Sequence, residues 1–252
     1  MEVLVMEGVT YSYALRGASG AERVKAGMGL TQAATDPGVF DVNLTLSPGE
    51  MVAVVGPNGS GKSTLARLAA GLLVPQKGRV QVDELDTKNP CHRLLLRQRV
   101  GILFSYPPSQ IVGCTVEEDV AFGPENLGLA PEIIAERIDW ALEAVGLSRE
   151  RFLDPRRLSG GQQVKVALAG ILALGPSYII LDEPTAMLDP GERTKIWELV
   201  RGFCQSPAQS QGQGRSGAGV LWITHREEEA RNCDRALVMS CGRLTGTRAT
   251  SR

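Results

Sequence analysis

The chain has 252 residues, 43% of them hydrophobic, with 27 Lys and Arg against 28 Asp and Glu for a formal net charge of −1. That length can bury a substantial core and predicts one large domain over residues 1–252. The balanced charge removes the electrostatic case for a protein that coats nucleic acid through a basic face, while specific anion sites stay open.

In chain order, "VTYSY" near the N-terminus precedes a first predicted flexible insertion, about residues 14–38. "FDVNLTL" then places Phe40, Val42, Leu44 and Leu46 on one face at period two, the pattern of a half-buried strand in an antiparallel sheet. "MVAVV", "YIIL" and "VLWIT" are continuous apolar runs, as expected of parallel strands covered on both faces. Behind "MVAVV" a helix is predicted to bury Leu65, Leu68, Ala69 and Leu72. Thr115 and Glu118 fit a capping box, and Pro131 opens a helix carrying Ile134, Ile138, Leu142 and Val145 that Gly146 stops. Ser159 and Gln162 repeat the capping-box spacing ahead of Val164, Leu168 and Ile171. The Gln-, Ser- and Gly-rich stretch of about residues 205–219 cannot contribute to a core and is read as a second flexible insertion. "RALVM" predicts a last short strand before the turn "CGR", and the polar "TGTRATSR" is expected to fray. The alternation of strands and helices makes the fold α/β.

Chemistry concentrates at the strand ends. "GPNGSGKST" has the form G-x-x-x-x-G-K-[ST], with Gly56, Gly61, Lys62 and Ser63 in register and Asn58, Gly59, Ser60 and Thr64 completing the loop between a strand and a helix. Glycines let several backbone N–H groups converge on one set of phosphate oxygens, and the helix start adds partial positive charge. Lys62 is placed to reach the β- and γ-phosphates and Ser63 to ligate Mg²⁺. "YIILDEPT" ends in Asp182 and Glu183, and two adjacent carboxylates at the tip of a buried strand call for a cation. Asp182 suits the Mg²⁺ shell, directly or through water, while Glu183, pointing the other way on an extended chain, can orient or deprotonate the attacking water. His225 follows "VLWIT" and can sense the γ-phosphate, although a lone histidine at a strand end also serves structure alone. Gly160 and Gly161 leave the N–H groups of the "LSGGQ" helix accessible as a second anion site; read alone, this is only a well-capped helix. Cys91, Cys114, Cys204, Cys233 and Cys241 are odd in number with no C-x-x-C pair, which predicts reduced thiols.

"GPNGSGKST", "LSGGQ", "YIILDEPT", "AMLDP" and "ITH", in this order, resemble the ATP-binding cassette (ABC) ATPases from Val9 to about Gly242. The resemblance implies a P-loop NTPase core with a mixed sheet, an N-terminal antiparallel β subdomain and a helical signature subdomain at about residues 104–165. It further implies two cassettes packed head to tail, each ATP held between the phosphate loop of one chain and Ser159, Gly160, Gly161 and Gln162 of the other. Adenine would stack on an aromatic residue near the N-terminus, Tyr13 as the better match and Tyr11 as the second choice, unless Tyr13 simply faces the antiparallel sheet. Asp189 resembles the aspartate that communicates between the two sites.

"SQIVGCTVEEDVAFGPENLGL" is similar to the energy-coupling factor (ECF) transporter ATPases, the group that includes the cobalt-uptake cassettes. That likeness implies uptake of a vitamin or transition-metal ion through a membrane coupling subunit and a separate substrate-binding membrane subunit, with this chain peripheral on the cytoplasmic side of the cell membrane. No signal peptide or membrane span is read in the sequence itself. Two departures stand out. The family has glutamine after the phenylalanine of "LF", whereas "LFSYPPSQ" has Ser105 there and keeps only Gln110 as the glutamine for Mg²⁺, which suggests a weakened site in a heterodimer. The chain also ends about ten residues after "RALVM" and "CGR", without the helical region many ECF ATPases carry, so dimer affinity is expected to rest on ATP and the membrane partner. The competing readings are a soluble cassette ATPase without a transporter and a regulatory partner that binds ATP but barely hydrolyses it.

Overall fold

The computed structural model describes residues 2–13, 38–205 and 217–248. Its elements are β1 (Leu4–Tyr11), β2 (Val39–Leu46), β3 (Met51–Val55), α1 (Lys62–Ala69), β4 (Lys77–Val82), β5 (Leu85–Asp86), α2 (Arg93–Arg99), β6 (Val100–Leu103), α3 (Val116–Asn126), α4 (Pro131–Val145), α5 (Gly160–Ala173), β7 (Tyr178–Asp182), α6 (Pro190–Gln205), β8 (Gly219–Thr224), α7 (Glu227–Arg231), β9 (Arg235–Ser240) and β10 (Arg243–Arg248). Most of both predicted insertions lies outside the described residues. At the edges of the second one, Gln205 closes α6 and Gly219 opens β8. No helix among the described residues is long and apolar enough to cross a membrane.

The described residues fall into two compact units. The first is drawn from Met1–Ser47, Val52–Leu96 and Ile223–Arg252. It holds an antiparallel sheet in the order β2-β1-β4-β5, and beside it β3 runs parallel to β9 while β10 runs antiparallel to β9. Every residue of β3 is buried, as its unbroken apolar run requires of a strand covered on both faces. The alternation along β2 holds for Val42, Leu44 and Leu46, but Phe40 is only half-buried. Asp41 adopts a φ of 53°, a left-handed conformation that breaks the period-two register, and the β1–β2 ladder shifts between Val9 and Tyr11. In α1, Leu65, Leu68 and Ala69 are buried. Leu72 lies beyond the helix end, past Gly71 at φ 65°, and is 38% exposed. Of the polar segment expected to fray, Thr245–Arg248 instead belong to β10, because an antiparallel hairpin with β9 satisfies their backbone groups, and residues 249–252 lie outside the described residues.

The second unit is drawn from Pro48–Met51 and Arg97–Trp222. Its strands lie in the order β8-β7-β6, and β6 pairs parallel with β7 from Val100↔Tyr178 to Leu103↔Leu181. Helices α3, α4 and α5 bury Val116, Val120, Ile138, Leu142, Val145, Val164, Leu168 and Ile171. Truncating Leu142, 1% exposed, to alanine in such a core costs about 2–5 kcal/mol. Both predicted capping boxes form, Thr115 with Glu118 on α3 and Ser159 with Gln162 on α5, and Gly146 ends α4 at φ 71°. Arg137 reaches from α4 to donate to the carbonyls of Ala173 and Leu174, at 3.1 and 3.2 Å, at the last turn of α5. A cation there answers the negative end of the helix that the "LSGGQ" loop begins.

Candidate active site

In the first unit the phosphate loop turns directly off β3. A Cβ at Gly56 would sit 2.1 Å from the carbonyl oxygen of Met239, so no side chain fits there. Gly61, at φ 103°, is the N-cap of α1 in a conformation only glycine adopts cheaply. The loop closes on itself through Ser60 N–H to the Pro57 carbonyl at 3.2 Å, and the β9–β10 turn braces it through Gly242 N–H to the Ser60 carbonyl at 2.8 Å. The start of α1 carries no side-chain cap and no acidic residue in its first turn. The positive end of the helix dipole therefore meets no carboxylate of its own first turn and favours an outside anion. Lys62 is buried and donates to the carbonyls of Gly56 and Pro57 at 2.9 and 3.0 Å, so its ammonium already lies within the loop curve. Ser60 Oγ is buried with no hydrogen-bond partner among the described residues. Ser63 is half-buried, Thr64 is buried, and Asn58 and Gly59 are exposed.

Tyr11 and Tyr13 separate cleanly. Tyr11 is 1% exposed, which removes it as a stacking surface, whereas Tyr13 is half-buried and accepts from Arg67 Nη1 at 3.3 Å. His225 is exposed just after β8. The chain there is fixed by Thr224 Oγ1, which donates to Glu229 at 2.7 Å and accepts from Arg226 N–H at 3.0 Å.

In the second unit Asp182 is the last residue of β7 and is 3% exposed. Glu183 is not extended, contrary to the reading of alternating side chains. It turns at φ 53°, before Pro184, and its carbonyl accepts from Ala186 N–H at 3.1 Å. A non-glycine residue held in this region is a strained feature of the kind that gathers at functional sites. Asp189 caps α6 by accepting from Glu192 N–H at 3.0 Å. The Gln110 amide is engaged at both ends: Oε1 accepts from Phe104 N–H at 2.7 Å and Nε2 donates to the Ile102 carbonyl at 3.0 Å. It clasps the loop that carries the exposed Ser105, which leaves one oxygen lone pair for any metal.

Ser159 and Gly160 are exposed, and Gly161 and Gln162 follow in the first turn of α5. Ser159 Oγ accepts from Gln162 N–H at 3.3 Å, while the N–H groups of Gly160 and Gly161 have no acceptor among the described residues. Three contacts escaped the reading of the sequence: Gln162 Nε2 to Glu150 at 3.3 Å, Glu192 against Gly161, and the Gly242 brace on Ser60. Each joins residues without a shared motif; only the glycine of "CGR" hinted at a tight approach.

A strand, glycine loop and helix with an uncapped N-terminus, on a mixed sheet, define a phosphate-loop nucleotide-binding protein. The profile of the ABC transporter family matches residues 39–186, and the chain belongs to that family. It is 45% identical over 241 residues to the energy-coupling factor transporter ATP-binding protein EcfA1 of Symbiobacterium thermophilum, covering 96% of this chain and 77% of the relative. Its fold is similar to that of cbiO1 from Clostridium perfringens, part of the ABC transporter complex cbiONQ, with a TM-score of 0.78 and 30% identity over 97% of this chain and 87% of that one. It also matches MJ0796, a bacterial ABC transporter cassette solved as a dimer, with a TM-score of 0.77 and 26% identity over 99% of each chain.

Proposed function

We propose that this chain is the ATP-binding subunit of an ECF-type transporter. It hydrolyses ATP in a head-to-tail dimer of cassettes and drives uptake of a vitamin or transition-metal ion through membrane subunits on which it docks from the cytoplasmic side. The observation that carries the two-chain reading is the start of α5, where Ser159 and Gly160 are exposed, Gly161 is buried, and the N–H groups of both glycines find no acceptor among the described residues. A second phosphate-type loop facing outward suits a ligand held by another chain.

In this reading the N–H groups of residues 61–64, at the start of α1, take the β- and γ-phosphates, and Lys62 gives up its bonds to Gly56 and Pro57 for phosphate oxygens. Tyr13 offers its ring to adenine. Glu183 takes a proton from the water that attacks the γ-phosphorus as the bond to the β–γ bridging oxygen of ADP breaks, and His225 bonds the γ-phosphate. Ser63 in the first unit and Asp182 in the second are each a hard oxygen donor of the kind that would hold Mg²⁺, which neutralises charge on the phosphates when bound. The partner's signature loop completes the cradle, so ATP favours the closed dimer and hydrolysis releases it.

The clasped Gln110 and the exposed Ser105 favour one refinement: a less active site paired with a second, more regular cassette. The test is purification of the tagged chain from membranes. The reading predicts co-isolated integral membrane subunits and ATP turnover lost in Glu183→Gln. A chain that comes out of membranes alone, and whose Glu183→Gln variant hydrolyses ATP as fast as the wild type, contradicts it.

A further inference from the structure

Glu192, in the first turn of α6, lies against the signature loop. A Cβ at Gly161 would stand 2.9 Å from Glu192 Oε2 and 3.4 Å from its Cδ. The residue is held from two sides: its N–H donates to Asp189 Oδ1 at 3.0 Å, and its Oε1 accepts from Lys195 Nζ at 2.9 Å. Oε2, the oxygen beside Gly161, accepts no hydrogen bond among the described residues. A second carboxylate, Glu150, reaches this helix start through its Oε1, which accepts from the Gln162 amide at 3.3 Å. The glutamate raises the pKa of Lys195 through their hydrogen bond, so the lysine stays charged beside it. With no phosphate bound, a carboxylate at this helix end is favourable. A phosphate arriving at the same end meets a like charge.

We propose that Glu192, through its charge beside Gly161, sets how strongly the signature loop takes the terminal phosphate of a second chain's ATP, with Lys195 partly cancelling that charge. The inference rests on the two-chain reading above and adds to it a positioning residue. Glu192 acts through the helix end that Gly161 begins, and its link to Asp189 ties that end to the turn before α6.

The test is ATP-driven self-association of the full chain in a Glu183→Gln background, measured by sedimentation with Glu192→Gln, Lys195→Met and both together. Glutamine keeps the shape of glutamate, so a packing role alone leaves affinity unchanged. The charge role predicts association about tenfold tighter for Glu192→Gln at low salt, shrinking towards none near about 0.5 M salt. Lys195→Met should weaken association about threefold when Glu192 holds the ammonium and by clearly less once Glu192→Gln has weakened that hold. Unchanged or weaker association for Glu192→Gln overturns the proposal, as does an equal effect of Lys195→Met in both backgrounds. If the Glu183→Gln parent shows no ATP-dependent self-association, a head-to-tail pair of identical chains is ruled out first and this inference falls with it.

Discussion

The rings of Tyr11 and Tyr13 meet edge to face, with centroids 5.0 Å apart and planes at 84°, one ring sealed in the core and the other half-buried. The inner ring therefore braces the outer one, which stays half-buried. Tyr13→Ala should weaken ATP binding about five- to tenfold, the worth of one aromatic contact, with little change in stability. Tyr11→Ala should instead lower stability by about 3–5 kcal/mol. Isothermal titration and chemical denaturation of both variants separate the two roles; a reversed pattern would move the stacking surface elsewhere.

Ser105 is exposed on the loop that Gln110 clasps. If the short side chain limits this site, Ser105→Gln should raise single-turnover ATP hydrolysis about three- to tenfold. Equal rates remove Ser105 as the limit. Gln110→Ala should cost about 1–2 kcal/mol, because it strips a hydrogen-bond partner from Phe104 N–H.

Arg151 joins Glu117 of α3, at 2.6 Å, to Asp139 of α4. Its hydrogen bond holds the Glu117 carboxyl below the ordinary value of 4.5. A carboxylate whose folded pKa is depressed contributes stability that is present above 4.5 and is lost as pH falls below it through the folded value. Arg151→Met should thus cost about 1–2 kcal/mol at neutral pH, and the gap from wild type should narrow in urea titrations as pH drops below 4.5. A gap constant with pH would assign the loss to packing over Phe152 instead, whose ring centroid lies 5.7 Å from the guanidinium carbon.

What was legible in the sequence is local or repeats at a fixed period. The phosphate loop announces itself because glycine, lysine and serine must stand at set spacing between a strand and a helix. The capping boxes of Thr115 and Ser159 were readable because both bonds close within three residues. The bend at Asp41 and the early end of α1 before Leu72 were hidden, since periodicity does not reveal where a single residue turns left-handed. The Gln110 clasp was missed because its partners are backbone atoms of Ile102 and Phe104, which carry no residue signature. Glu192 lies thirty-one positions from Gly161, and only folding brings them together.

The claim that two chains share each ATP is tested most directly by mixing two inactive variants. Lys62→Ala disables the phosphate loop, and Ser159→Arg blocks the signature loop at its exposed start. In a head-to-tail pair of the two, one composite pocket keeps both an intact Lys62 and an intact Ser159. The account predicts that each variant alone is nearly inactive and that the mixture recovers ATP hydrolysis well above their sum. A mixture no more active than that sum would rule out a pocket shared between two copies of this chain and contradict the account.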